Sequence, residues 1–284
     1  GASITIPFKM DLAARMDDEE WWPPDLFRRL GEAGWLGLTL PESEGGPGLD
    51  VLSSALVGQA FSRWNSGVGL SWLAHENLCL NNLLRNASPP QRARWIPGLA
   101  DGSLVGALAL TEPGAGSDAL GGMRTTARRD GDHYVLDGRK LYITNGWIAD
   151  LVLVYAKSAP ERGARGISAF VVEKGFPGFS VAQKLEKMGM RGSPTAELVF
   201  DGCRVPVENR IGEEDAGVAI VMSGLDLERA VAAPMSVGLA ERCLALALDY
   251  ARERRQFGRP IGEFQMIQAK LADMYTGLEA ARLL

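Results

Sequence analysis

The spacing of apolar residues changes twice along this chain, and those two changes constrain its fold more than any single residue does. Up to about residue 103 the spacing is helical. Leu26, Phe27, Leu30 and Ala33 follow a Pro23-Pro24 start and end at Gly34, and Leu52, Leu56, Ala60 and Phe61 follow Asp50, a residue type that caps helices. The stretch Gly67 to Leu84 is apolar almost all round, which predicts a buried helix with Trp72, Leu73, Cys79 and Leu80 in the core, and a fourth helix spans Pro90 to Leu99. From Leu104 to about Arg210 short strand-like runs replace this pattern: Val105 to Thr111, His133 to Leu136, Leu151 to Tyr155, Ile167 to Val172, Phe179 to Val181 and Ala196 to Phe200. Asp130-Gly131, Asp137-Gly138 and Asp201-Gly202 punctuate them as turns. Past the Gly212 to Gly217 loop the helical period returns, in Val218 to Val231 and Ser236 to Arg252 with Pro234 at a kink site, then in Phe264 to Leu284. The expected fold class is α+β multidomain: an N-terminal helical domain (residues 1–103), a middle β-barrel (104–212) and a C-terminal helical bundle beginning at 213. The last amphipathic pattern stops at residue 284 with no cap signal, so this bundle is expected to be incomplete in this chain.

Composition narrows the function classes. With 284 residues, 46% of them hydrophobic, there is enough apolar surface for about two domain cores. A net charge of -5 offers nothing that would hold nucleic acid. Apolar runs fall short of the roughly 18 residues of a membrane span, and no signal-peptide layout opens the chain, so the expectation is no membrane and a cytoplasmic or mitochondrial-matrix location. Cys79, Cys203 and Cys243 lack metal or disulfide spacing and are expected to be buried thiols; with only His75 and His133, no metal site is expected.

The stretch Leu108 to Asp118, LALTEPGAGSD, is where a ligand site is expected, because a strand empties there into a loop of small residues with free backbone N–H groups. Gly114, Gly116 and Ala119 match the permissive dinucleotide pattern, but that pattern must open a helix, and here Gly121, Gly122 and strand-like residues follow. A plain structural turn remains the alternative on this loop alone. Downstream, Lys140 to Gly146 reads KLYITNG, with Tyr142 and Thr144 on one face of a strand.

TEPGAGSD followed by the aromatic-ITNG strand resembles the flavin-binding middle domain of the acyl-CoA dehydrogenases. The resemblance continues through KMGMRGSPTAELVFDGCRVP and RRQFGRPIGEFQ, and covers about residues 20 to 284. It implies FAD as cofactor, an acyl-CoA substrate, an electron-transfer flavoprotein as electron acceptor and a homodimer or homotetramer. By the same resemblance, Leu108, Leu110, Thr111, Gly116 and Ser117 lie along the flavin, Ser117 also serving the pyrophosphate or the CoA side. Tyr142, Ile143 and Thr144 approach the flavin from the other side, Tyr142 standing where the family commonly has tryptophan. Arg254, Phe257 and Gln265 match positions that reach the FAD of a neighbouring subunit, and Met188 to Pro194 matches the segment that touches flavin and docks the acceptor.

Family members carry the catalytic base in two places, and the isovaleryl-CoA branch has it on a helix reading SGLDLER, which this chain reproduces from Ser223 to Arg229. Glu228 is therefore the expected base, in an apolar setting (Leu225, Leu227, Ala230, Val231) that raises a carboxyl pKa. Asp226, Leu227 and Arg229 are expected beside the substrate; a solvated helix face is the alternative for Asp226, Glu228 and Arg229, or, for Glu228, a partner for a nearby arginine. Two positions depart from that branch: its tyrosine nine residues before the base is Ala219 here, and Trp72 stands where it has a smaller aromatic. The expected reaction is dehydrogenation of a short branched acyl-CoA, isovaleryl-CoA first. A longer branched, terpenoid or carrier-bound thioester, a same-fold flavin hydroxylase and a non-catalytic partner subunit remain as alternatives.

Overall fold

A computed structural model describes residues 7–284, with side chains from Ala13 onward. The N-terminal block holds α1 (Pro7–Asp18), α2 (Leu26–Glu32), α3 (Val51–Trp64), α4 (Ser66–Leu73), α5 (Asn81–Asn86) and α6 (Pro89–Ala100), and a π-helical stretch, Ala74–Leu80, runs α4 into α5 without a break. Local chemistry sets the ends of these helices. Gly34 takes φ +71° just past α2, a conformation that is cheap only for glycine. The Asp50 carboxylate caps α3, accepting from the Ser53 N–H at 2.8 Å.

The long buried helix is less apolar than its sequence suggests. Ser71, His75, Glu76, Asn77, Asn81 and Asn82 are all buried along it, beside Trp72, Leu73, Cys79 and Leu80. Several of them hold neighbouring segments: Glu76 accepts from the Gly37 and Leu38 N–H groups at 2.8 Å each, and the His75 ring bonds the Gly106 N–H and the Leu99 carbonyl.

The middle domain is one eight-stranded sheet built from β1 (Gly106–Ala109), β2 (Thr126–Asp130), β3 (His133–Thr144), β4 (Leu151–Lys157), β5 (Ile167–Glu173), β6 (Phe179–Lys184), β7 (Thr195–Pro206) and β8 (Arg210–Ile211). Its order is β6-β7-β3-β2-β4-β5-β8, with β1 added parallel to β4. The two halves, β6-β7-β3-β2 and β1-β4-β5-β8, meet through the single pair Thr126 and Lys157. Ala127, Leu136, Leu198 and Phe200 from one half and Val152, Val154, Phe170 and Val172 from the other share one core, so the sheet closes over itself in the barrel manner expected. The opposite faces of β4 and β5 (Leu153, Tyr155, Ala169, Val171) pack on helices, which is why LVLVYA reads as an unbroken apolar run.

After the sheet comes α7 (Gly217–Glu253), which passes through Pro234 without ending; β9 (Arg255–Gln256) and β10 (Arg259–Pro260) form a hairpin, and α8 (Gln265–Leu283) follows. Two expectations need correction. Cys243 is exposed, whereas Cys79 and Cys203 are buried. And α7 is, by length and composition alone, long and apolar enough to cross a bilayer; here its apolar residues at a helical repeat form the stripe that packs on α3 and on the helix formed by α4 to α5.

Candidate active site

The loop after β1 is anchored from inside. Glu112 pairs with Ala115 in both directions, N to O at 3.0 and 3.1 Å, and its carboxylate accepts from the Arg124 N–H, the Thr125 N–H and hydroxyl, and Lys140 Nζ. Lys140 also donates to the Leu110 carbonyl at 3.1 Å. Burial pushes the Glu112 carboxyl up, but the ammonium and the N–H donors outweigh it and hold the group below its ordinary value. This clamp was not anticipated from sequence, because its members lie 28 residues apart.

Outside the clamp the loop is open. A Cβ built on Gly114 or Gly116 would meet nothing within 4 Å, and neither glycine has positive φ, so neither is explained by internal packing or by backbone strain. Gly116 and Ser117 are exposed, and turns rather than a helix follow them, which removes the dinucleotide-fold reading.

The strand opposite is deformed where the sequence places an aromatic. The Leu141 N–H reaches the Thr111 carbonyl at 2.9 Å, which sets β3 beside the loop. Between Lys140 and Ile143 the pairing with β7 slips, and in that bulge Tyr142 takes φ +61° and is 66% exposed. A bulky residue in the left-handed region costs on the order of 1–3 kcal/mol and persists where the surroundings over-determine it. Thr144 is half-buried, whereas Ile143 turns its side chain into the sheet core, so only its main chain can reach a ligand. Leu108 and Leu110 pack against the same apolar cluster as Leu225 of α7. The structure thus brings together Leu108, Leu110, Thr111, Gly116, Ser117, Tyr142 and Thr144.

The helix side presents a carboxylate in an unusual place. Gly217, Val221, Gly224, Val231 and Met235 are buried and recur at helical spacing along one stripe of α7. Glu228 occupies the stripe position between Gly224 and Val231, yet it is only half-buried, so the close packing of the stripe opens in front of its carboxyl. Burial there raises its pKa, with Arg229 opposing. Asp226 and Arg229 are exposed and bond each other at 3.3 Å, which is the solvated-face alternative for those two charges; Leu227 is half-buried against Trp72 and its neighbours.

Arg254, Phe257 and Gln265 are not brought to this place. Glu228 and Arg254 are 26 residues apart, 25 of those steps within one continuous helix, or about 39 Å at 1.5 Å per residue. Phe257 stands at the tip of the β9–β10 hairpin with φ +51° and is 94% exposed, followed by Gly258 at φ +81°.

Comparison with known proteins agrees with this architecture. The family profiles "Acyl-CoA dehydrogenase, N-terminal domain", "middle domain" and "C-terminal domain" match residues 9–103, 107–203 and 215–284 in that order. The mitochondrial isovaleryl-CoA dehydrogenase of Oryza sativa subsp. japonica is 50% identical over 272 residues; these make up 95% of this chain and 66% of that protein, so the chain spans just under two thirds of the relative's length. Among solved structures, butyryl-CoA dehydrogenase from Megasphaera elsdenii superposes with a TM-score of 0.93 at 38% identity over 97% of this chain and 73% of its own. A chain in a structure described as the electron transferring flavoprotein of Acidaminococcus fermentans gives 0.91 at 40% identity, over 100% and 78%. With three family domains in order and two thirds or more of such a solved relative covered, the chain belongs to the acyl-CoA dehydrogenase family.

Proposed function

We propose that this chain forms the substrate and flavin side of an enzyme that converts a short branched acyl-CoA, isovaleryl-CoA first, to the 2-enoyl-CoA. The observation that carries the reading is Glu228, a half-buried carboxyl with raised pKa in an otherwise buried stripe of α7, on the helix whose Leu225 packs with the strand end at Leu108 and Leu110. In this reaction the Glu228 carboxylate takes the α-proton of the thioester and becomes the carboxylic acid, while the β-hydrogen leaves with its electron pair and a C=C bond forms.

The residues present fit a flavin. Tyr142 offers an exposed aromatic face held by a bulge, and the open Gly114–Ser117 backbone offers N–H groups for polar and phosphate oxygens. Bound there, FAD would supply the acceptor for the hydride. Leu108, Leu110 and Thr111 would line its ring, Thr144 and the Ile143 main chain its other side, and Ser117 the pyrophosphate or CoA. Arg254, about 39 Å of helix from Glu228, and Phe257 and Gln265 beyond it in the hairpin and at the start of α8, would serve the FAD of a second subunit, which supports a homodimer or homotetramer. Electrons would pass on to an electron-transfer flavoprotein, with the mitochondrial matrix or a bacterial cytosol as compartment.

The test is anaerobic addition of isovaleryl-CoA to the full-length protein beside its Glu228→Gln variant. Bleaching of the flavin absorbance in the wild type, slowed roughly 10²–10⁴-fold in the variant, supports the proposal. A protein that carries no flavin, or a variant that bleaches at the wild-type rate, overturns it.

A further inference from the structure

The surroundings of Glu228 differ in chemistry on its two sides along α7. On the N-terminal side, one turn before it, Gly224 lies against polar groups: a Cβ there would sit 2.5 Å from Asn82 Nδ2 and 3.7 Å from the Arg85 guanidinium. Ser223 accepts from Asn86, and Asn82 donates to the Tyr155 hydroxyl. Arg85 is exposed, although partial desolvation of its guanidinium lowers its pKa, and among the described residues no carboxylate pairs with it. Beside Glu228 and on its C-terminal side the buried neighbours are apolar. Leu227, Val231 and Met235 pack in one cluster with Trp72, which is fully buried.

Trp72 is also immobile. Its indole N–H donates to the Trp35 carbonyl at 2.7 Å, and its ring meets Phe61 edge to face at 5.7 Å. The backbone of α3 closes the third side: a Cβ on Gly58 would come within 3.3 Å of the indole and 3.6 Å of Met235, so a side chain larger than glycine would crowd it. The ring therefore has no free direction in which to swing.

From this asymmetry we propose that Trp72 is the end wall of the acyl pocket and limits the substrate to short tails. The inference rests on the dehydrogenase reading of Glu228 and deepens it. A thioester with its Cα at Glu228 places its polar CoA arm toward Gly224, Asn82 and Arg85 and its tail toward Val231 and Met235. Val231 lies three residues past Glu228 and Met235 seven, so the part of the indole cluster beyond Glu228 runs from about 5 Å to about 10 Å further along the helix. Two or three carbons beyond Cβ fit within that span; a straight chain of eight carbons meets the indole. Deleting the wall lets additional methylenes be buried, each worth a factor of about 10 in discrimination.

The experiment compares the full-length flavoprotein with its Trp72→Phe and Trp72→Leu variants on butyryl-, isovaleryl-, hexanoyl- and octanoyl-CoA, reading kcat/KM. It also measures calorimetric affinity for the same thioesters in a Glu228→Gln background, where turnover is blocked. The expected result is a shift of preference toward hexanoyl or octanoyl by about tenfold or more in both readouts. An equal loss on all four thioesters, with the wild-type order retained, means that Trp72 only holds the core and overturns the proposal. Trp72→Phe keeps an aromatic ring and guards against a variant that fails to fold. If no acyl-CoA bleaches the wild-type flavin, the dehydrogenase reading itself has failed, which is a different outcome from a wild type that works with an unshifted variant.

Discussion

Lys140 Nζ and Glu112 Oε1 lie 2.9 Å apart in a place where the lysine side chain is 0% exposed and the glutamate 5%, and this pair fastens the ligand loop to the strand that carries Tyr142. Removing one partner leaves a buried charge uncompensated, which costs about 3–5 kcal/mol, whereas replacing both with apolar groups is much less costly. Lys140→Met alone is therefore expected to lower stability by that order, and Glu112→Leu with Lys140→Met to recover most of it. Urea denaturation of the two single variants and the double variant checks this. Additive losses would show that the pair acts through its separate contacts.

Glu76 predicts a pH dependence of stability. Burial raises its carboxyl to about 7 against the two N–H bonds from Gly37 and Leu38, which pull it down. A carboxyl whose folded pKa is raised binds more protons folded than unfolded, so its contribution is fully present below its unfolded pKa and is lost as pH rises through about 7. The wild type is expected to lose a few kcal/mol between pH 4.5 and 8 from this group, and Glu76→Gln to flatten that slope. Thermal melts across the range decide it: parallel curves for the two proteins would place the titration elsewhere.

These two groups also show where sequence reading reached its limit. The Asp50 cap and the doubly buried strand LVLVYA were legible because a cap acts over three residues and a buried strand shows its apolar run directly. The π-helical stretch read as apolar, yet Glu76 finds its N–H partners 38 and 39 residues away and His75 one 31 residues away, and no local pattern encodes such pairings. The segments of the proposed site were legible in outline for the same reason in reverse. TEPGAGSD, KLYITNG and SGLDLER are each contiguous, whereas the bulge that turns Tyr142 outward comes from register with β7, more than fifty residues on in the pairing of Ile143 with Ala196. The stripe that isolates Glu228 is visible in sequence as Gly217, Val221, Gly224, Val231 and Met235, but its significance appears only when those neighbours are seen to be buried and Glu228 is not.

The proposed role of Glu228 as the base predicts the acid limb of the pH profile. Its deprotonated form takes the proton, and burial raises its pKa above the ordinary carboxylate value, so kcat/KM should rise with pH through a pKa higher than that of an exposed glutamate. Arg229 opposes the shift. Arg229→Gln is therefore expected to move the limb to higher pH, whereas a limb that stays in place would assign it to another group.

Tyr142 separates strain from function. With φ +61°, replacement by glycine relieves left-handed strain and should stabilise the flavin-free protein by up to about 1 kcal/mol, although the more flexible unfolded chain offsets part of that. The same change removes the exposed ring, so flavin retention is expected to fall. Tyr142→Phe keeps both the ring and the strain, and should match the wild type in both respects. Melting temperature of the flavin-free protein and flavin content after gel filtration are the readouts, and Tyr142→Gly retaining flavin fully would remove Tyr142 from the site.

The hairpin tip predicts how the assembly depends on one side chain. Phe257 and Gly258 both have positive φ in a two-residue turn between β9 and β10, the geometry that suits tight hairpins and favours glycine or asparagine. A 94% exposed phenylalanine in that position gains little from its own chain beyond an edge contact with Phe264 at 6.1 Å. Phe257→Asn fits the turn better and should leave the subunit as stable or slightly more so, while flavin retention in the assembled protein falls if the ring covers a neighbour's flavin. The expected pattern is an unchanged or raised melting temperature for the flavin-free protein, with faster flavin loss on dilution that high protein concentration slows. Flavin loss independent of concentration would place the contact within one subunit, which the 39 Å or so of helix between Glu228 and Arg254 argues against.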